Sequence, residues 1–416
     1  MRLTPEEQAI ATGRDGEAAA MAMRVVAETG RIMGAARLVD ITSAHIDGCL
    51  WHGDSGVEFA ETLVAGGGQA RVPTTLNVGA LDLMHPGRVH LEPGRREMAR
   101  RLMHAHVDLG CAPTFTCAPY QAGHRPGPGE QVAWGESNAV AFVNSVLGAR
   151  SNRYGDLLDL CCALVARAPL CGLHLTENRR ATILVDATGL SPELRDSDVF
   201  WPVLGSWLGA AAGAAVAVID GLPANTPEDR LKALGAAAAS TGAVGLFHVA
   251  GVTPEAPDVE TALGGLAPAQ TIRLTAAMLR PVRDRMSTTG SDRIDAVALG
   301  SPHFSPAEFA TLESLLDGRR MAVPFYVCTG RGVIGTLEQE GRVAALVDAG
   351  IALVADTCIV VTPVLPDGGG VLMTSSGKFA HYTPGTTGWD VIYGSLADCV
   401  ASGLTGRVAR DESLWR

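Results

Sequence analysis

The alternation of apolar and polar positions changes character along the chain. Near the start, Thr4-Pro5-Glu6-Glu7 predicts the opening of a helix. Thr4 caps it, Pro5 takes a first position where its missing N–H costs nothing, and Glu7 reaches back to the cap. Short apolar runs at 38–41 and 72–76 predict strands, with a polar, glycine-bearing loop after the first that extends to Gly56. The stretch 110–129 is dense in proline and glycine and reads as loop. Helical spacing returns after Ser137-Asn138, with Val140, Val143 and Leu147 on one face. The uncharged run 203–219 falls short of the ~20 residues that span a bilayer. Interrupted by Gly205, Gly209 and Gly213, it reads as a small-residue helix leading into a buried strand. Residues 251–265 read as an exposed connection.

The last third is more regular. Strands are predicted at 294–299, 321–327 and 351–355. A helix opened by the capping box Ser305-Pro306-Ala307-Glu308 comes after the first, and a helix over 337–347, ended by Gly350, comes after the second. Strand–helix alternation implies parallel βαβ units covered by helices. In such sheets the crevice at the C-terminal strand ends takes the ligand. Those ends carry Gly300-Ser301-Pro302-His303, Cys328-Thr329-Gly330-Arg331 and Asp356-Thr357-Cys358. Two of the three present a cysteine.

Composition narrows the classes. The chain has 416 residues, 33 basic and 44 acidic, for a formal charge of −11. That balance disfavours nucleic acid, which selects basic patches. Apolar residues reach 47%, enough for a sizeable core, with 49 glycines suiting close helix–sheet packing. The N-terminal stretch lacks the basic-then-apolar pattern of a secretory signal. Nine cysteines without small-domain spacing therefore read as reduced thiols of a cytoplasmic protein with no membrane attachment.

Several constellations could carry chemistry. Cys117 lies in a proline-flanked loop, 111–120, rigid enough to hold a ligand; with Cys328 and Cys358 it makes a candidate soft-metal or iron–sulfur set. Free cysteines are also small buried hydrophobes, and that reading is taken for Cys49, Cys161, Cys162, Cys171 and Cys399. Trp134-Gly135-Glu136-Ser137-Asn138 precedes a helix, whose N-terminus offers free N–H groups to an anion. Glu136 there suits proton transfer, and ordinary capping by Ser137 or Asn138 is the alternative. Ser375-Ser376-Gly377-Lys378 lacks a nucleotide P-loop frame, but in a chain with few lysines Lys378 reads as a cation for a carboxylate or phosphate. The loop 43–56, with His45, Asp47, His52 and Asp54, reads as substrate-facing. His104 and His106, two apart on a helix, read as surface residues. No G-x-S-x-G and no G-x-G-x-x-G comes after a strand, which argues against serine hydrolases and nicotinamide enzymes.

These segments resemble the aconitase X family, the divergent branch of the aconitase superfamily. The resemblance rests on SAHIDG at 43–48, TTLNVGALD at 74–82, CAPTFTCAPYQ at 111–121 and WGESNAVAFVNSVLGARSNRYGD at 134–156. It continues in GSPHFS at 300–305, VCTGR at 327–331, DTCIV at 356–360 and SSGKFAHY at 375–382. It implies an α/β, aconitase-like multi-domain fold with parallel βαβ units. The expected division is one domain over 1–190 plus 355–416 carrying the substrate loops, and a second over 191–354.

The resemblance also implies an iron–sulfur cluster on Cys117 and Cys358. Ser301 stands where one branch has a third cysteine, so Cys328 is the candidate replacement. That departure points to the branch that dehydrates cis-3-hydroxy-L-proline, with a [2Fe–2S] cluster, and away from mevalonate-5-phosphate dehydration. Implied substrate contacts are His45, Gly48, Asn77, Ser137 and Ser301, with Glu136 and Lys378 catalytic. The sequence leaves no room for a swivelling domain, so a separate small subunit is expected to supply it, together with a serine base. An iron-responsive RNA-binding protein is the alternative of a different class, and the charge weighs against it.

Overall fold

The computed structural model describes residues 1–415. Fourteen strands are described in it: β1 Leu38–Asp40, β2 Ser43–Ile46, β3 Thr74–Leu76, β4 Val132–Trp134, β5 Arg167–Pro169, β6 Ile183–Asp186, β7 Ala217–Asp220, β8 Phe247–Val249, β9 Gln270–Arg273, β10 Ala296–Phe304, β11 Phe325–Thr329, β12 Ile351–Val354, β13 Val371–Thr374 and β14 Asp390–Tyr393. They form three parallel sheets, ordered β3-β2-β4, β8-β7-β6-β9 and β12-β11-β10-β13-β14, beside an antiparallel pair of β1 and β5. The α/β expectation therefore holds, and strands such as β7 and β12 read as near-continuous apolar runs, as strands buried on both faces do.

Local signals behave as the residues dictate. Thr4 and Ser305 both close capping boxes, with Glu7 and Glu308. The uncharged run forms the helix Phe200–Ala212 and then β7. The expected helix at 337–347 is instead two, Arg331–Gln339 and Val343–Asp348, parted at Gly341, whose positive φ of 70° suits only a residue without Cβ. β10 runs on through Gly300-Ser301-Pro302-His303, with a register shift against β11 between Leu299 and Phe304. His106 is fully buried, its Nδ1 2.9 Å from the Leu102 carbonyl, while His104 is exposed. Its backbone partner one turn earlier is what makes burial tolerable, correcting the surface reading of this residue.

The sheets do not follow the expected domain limits. β6 starts before residue 191 and belongs with β7–β9, while β10, β11 and β12 share a sheet with β13 and β14. A boundary at 354/355 would cut that sheet. β10 is its central strand and bonds to β13 across some 75 residues, a pairing that periodicity along the chain does not reveal. The core of the first unit, including Met23, Ile46 and Leu76, continues onto one face of the five-stranded sheet through Ala296, Ala298, Val354 and Leu372. Leu299, Phe309, Val327 and Leu353 fill its other face. Among the described residues no helix is long and apolar enough to cross a membrane.

Candidate active site

Two parallel sheets point their C-terminal ends at the same place. β2, β3 and β4 are adjacent, and each is succeeded at once or nearly so by a polar residue: Asp47, Asn77 and Glu136. The facing set comes from the ends of β10–β13: His303 and Cys328 lie one residue inside β10 and β11, and the 356–358 loop and residues 375–378 come just after β12 and β13. The two sets meet in one ion pair, Lys378 Nζ to Glu136 Oε1, 2.5 Å apart and nearly closed to solvent.

Both partners are fixed by helix starts. Glu136 itself, and neither Ser137 nor Asn138, caps the helix Ser137–Ser145: its Oε2 accepts from Ala139 N–H at 2.6 Å. The other oxygen is thus free for Lys378. Ser376 caps the helix Gly377–Thr387, its hydroxyl accepting from Phe379 N–H, and so delivers Lys378 on the first turn. Burial works against the ammonium, but attraction to Glu136 and to Cys117 outweighs it and holds Lys378 above its ordinary range. The chain has only two lysines, and the second, Lys232, is also buried and paired, with Glu308 and Asp229.

A carboxyl cluster backs this pair. Asn77 Nδ2 donates to Asp47 Oδ1, and Asp47 N–H donates to Asp159 Oδ2 at 2.7 Å. Gly135 is a glycine because a Cβ there would lie 2.1 Å from that Asp159 oxygen. Burial first, then repulsion from Glu136, Asp156 and Asp159, pushes Asp47 up to about 8 against the Asn77 hydrogen bond. Burial lifts Asp159 to about 7, opposed by the Asp47 and Leu160 N–H groups. Both carboxyls hold protons in the folded chain that the unfolded chain has already released. The resulting cost to stability accumulates as pH rises from the ordinary carboxylate range to about 8, and is constant above that. Asp47→Asn is therefore expected to raise Tm more at pH 9 than at pH 4; a melting series across that range checks it, and a pH-independent shift would exclude the assignment.

The three candidate thiols are all buried and share one neighbourhood. Burial, and then repulsion by Cys358 and Cys117, pushes Cys328 well up; burial lifts Cys117 to about 12 against the pull of Lys378, and raises Cys358 too. His303 N–H points at Cys117 Sγ from 3.3 Å, and Asn138 Nδ2 holds the Cys117 carbonyl at 2.9 Å. Among the described residues no three His, Cys, Asp or Glu side chains are gathered to hold a single metal ion. Ligands of an iron–sulfur cluster are distributed over more than one iron and need not all converge on one point. Three thiols at the meeting of the strand ends, one of them already accepting a backbone N–H, are a donor set that fits a soft metal such as the iron of a cluster. Close packing is built in: Gly300, at φ 92°, would put a Cβ 1.9 Å from the Cys328 carbonyl. Arg331 pairs with the buried Asp356 at 2.7 Å and lies over the Phe115 ring. A cavity of about 280 Å³ opens beside it, with Thr116, Gln121 and Gly330 in its wall.

The expected contacts separate into two groups. Asn77 and Ser137 sit at the meeting of the strand ends, as do Glu136 and Lys378. Gly48 comes after Asp47 and packs toward Leu157. Ser301 is buried within β10 and meets the site through its carbonyl, which accepts from the Ser376 hydroxyl. His45 lies inside β2, its Nδ1 2.9 Å from Thr75 Oγ1 and its ring 5.6 Å from Trp134. Asp47, expected within the substrate-facing loop 43–56, takes part, and Asp159 and His303 join it beyond the expected contacts. Asp47 and His303 lie in the 43–48 and 300–305 motifs, whereas Asp159 has no local signal.

Fold and site together define a thiol-bearing α/β protein with its centre between two sheets' C-terminal ends, and comparison with known proteins places it. Models of the aconitase X first, second and third domains match residues 1–177, 181–284 and 294–405. The chain belongs to the aconitase X family. It is 44% identical over its whole length to a cis-3-hydroxy-L-proline dehydratase of Pseudomonas aeruginosa, covering 72% of that protein. It is 40% identical to one of Hypocrea jecorina over 98% of this chain and 69% of that protein. A phosphomevalonate dehydratase large subunit of Methanothermobacter thermautotrophicus is 38% identical over 93% of this chain and 95% of its own length. The crystal structure of aconitase X from Thermococcus kodakaraensis, in its holo form, superposes with a TM-score of 0.87 at 32% identity, over 97% of this chain and all of that one.

Proposed function

We propose that the chain is the large subunit of a hydro-lyase that removes water from cis-3-hydroxy-L-proline. The Cα proton and the 3-hydroxyl leave, giving Δ2-pyrroline-2-carboxylate, which tautomerises to the Δ1 form. The observation that carries this choice of substrate is the charge of the site. One ammonium, Lys378, stands beside Glu136 and the Asp47 cluster, an arrangement that suits an amino-acid zwitterion. A phosphate dianion would need more cations. Arg150 is engaged with the His174 carbonyl and Thr176, and Arg153 with the Gly242 carbonyl. The identities of 44% and 40% to cis-3-hydroxy-L-proline dehydratases support the same reading.

In this reading Lys378 and the N–H groups at Ser137 hold the substrate carboxylate as charge develops on Cα. Glu136 accepts from the ring nitrogen or the hydroxyl, and Asn77 and Asp47, at the ends of the same sheet, orient the ring. Cys117, Cys328 and Cys358 hold an iron–sulfur cluster, of the [2Fe–2S] type, which when bound supplies a Lewis acid for the departing hydroxyl. A small subunit carrying a swivelling domain contributes the base and completes a heterodimer. The nine free, buried cysteines suit the reducing cytoplasm.

The test is an anaerobic assay of the chain co-produced with that subunit, on cis-3-hydroxy-L-proline and on mevalonate 5-phosphate separately. Water loss from the first alone, with pyrroline-2-carboxylate trapped, is the expected result. Turnover of the second alone would overturn the substrate assignment.

A further inference from the structure

One residue outside the Glu136–Lys378 pair reaches both the Cys117 and the Cys358 loop. His303 lies near the end of β10, fully buried. Its ring Nδ1 is 2.9 Å from Thr116 Oγ1, the residue before Cys117. Its Nε2 is 3.3 Å from the Thr357 carbonyl, the residue before Cys358. A carbonyl only accepts, so Nε2 carries the proton and Nδ1 accepts from the Thr116 hydroxyl. The neutral ring this requires is the form that burial favours. The backbone N–H of His303 meets Cys117 Sγ at 3.3 Å, and its carbonyl accepts from Lys232 Nζ at 3.3 Å. Lys232 reaches in from the helix Glu228–Thr241 of the middle unit, held by Glu308 at 2.5 Å and Asp229 at 2.8 Å. Ser305, two residues on, also donates to Asp229, so the strand end is pinned twice to that helix.

We propose that His303 is the positioning residue of the thiol centre: its ring ties the Cys117 and Cys358 loops at one spacing, its N–H donates to the Cys117 sulfur, and Lys232 anchors it from the middle unit. The inference rests on the cluster reading given above. Partners outside the ligand shell orient the ligands, and N–H bonds to sulfur tune a cluster's electronics. His303 therefore governs how firmly iron is held, without touching substrate.

The experiment compares the full-length chain with its His303→Ala, His303→Gln and Thr116→Val variants after anaerobic reconstitution with iron and sulfide. The readouts are visible circular dichroism and the rate of iron transfer to a chelator. His303→Ala is expected to release iron about 10-fold faster or more and to change the dichroism. His303→Gln, which keeps an acceptor at the Thr116 end and a donor at the Thr357 end, restores both. Thr116→Val is nearly isosteric and leaves the ring in place, so it tests the same link should the alanine variant fail to fold; faster iron release is expected. Wild-type release rates and dichroism in both His303→Ala and Thr116→Val overturn the inference while leaving the cluster standing. A wild-type chain that takes up no iron overturns the cluster reading itself, and this inference with it.

Discussion

Lys378→Met is expected to lower kcat/KM by about 10²–10³, the loss typical of a preorganised group that stabilises developing charge. The change keeps most of the side chain's volume and removes only the ammonium. It also strands Glu136, whose Oε1 then has no cation, in a site where Glu136 is nearly closed to solvent. Breaking a buried pair from one side costs about 3–5 kcal/mol, so a fall in Tm accompanies the fall in rate. The two effects separate in the double variant Lys378→Met with Glu136→Gln. The neutral amide still accepts from Ala139 N–H, so stability returns while activity stays low. Steady-state kinetics and melting curves on the three proteins check this. A double variant that regained turnover would remove Lys378 from the chemistry.

Cys358→Ala is expected to abolish both turnover and visible absorption. Cys358 sits where the 356–358 loop leaves β12, beside Cys328 and Cys117, and no other thiol takes its place. Cys399→Ala is the matched control. That thiol is equally buried, but it belongs to the core on the far face of the five-stranded sheet, with Phe309 and Leu353. The control is expected to keep its colour and its rate, losing only a little stability through the cavity left behind. Turnover by a colourless Cys358→Ala would remove the cluster from the reaction.

Much of this site was legible in the chain because its parts are strand ends. The alternation in the last third predicts parallel strands, and parallel strands carry the residues at their C-terminal ends to one rim, so Cys328 and Cys358 could be marked from the sequence alone, while the scarcity of lysine marked Lys378. The proline-flanked loop marked Cys117, and motif resemblance added Asn77. What the sequence concealed depends on contacts between distant segments. Glu136 displaces Ser137 as the cap because Gly135 lets Asp159 crowd in behind it and Lys378 takes its outer oxygen. Asp159 is silent locally, since an aspartate at a helix start reads as ordinary solvation. The long β10 hides behind Gly300 and Pro302, which read as a strand stop yet are carried through by packing against β11. The domain limits failed for the same reason, because β13 inserts next to β10 from far along the chain.

The scarcity of lysine has a practical corollary. Among the described residues no lysine side chain lies on the open surface, because Lys232 and Lys378 are both turned inward against carboxylates. An acylating dye that attacks unprotonated amines therefore meets no lysine in the open. It finds Lys378 held as an ammonium, with no lone pair to offer. Such a dye can thus be applied under mild conditions with the Glu136–Lys378 pair left intact. Acylation at Lys378 would in turn report that the Glu136 pair had opened.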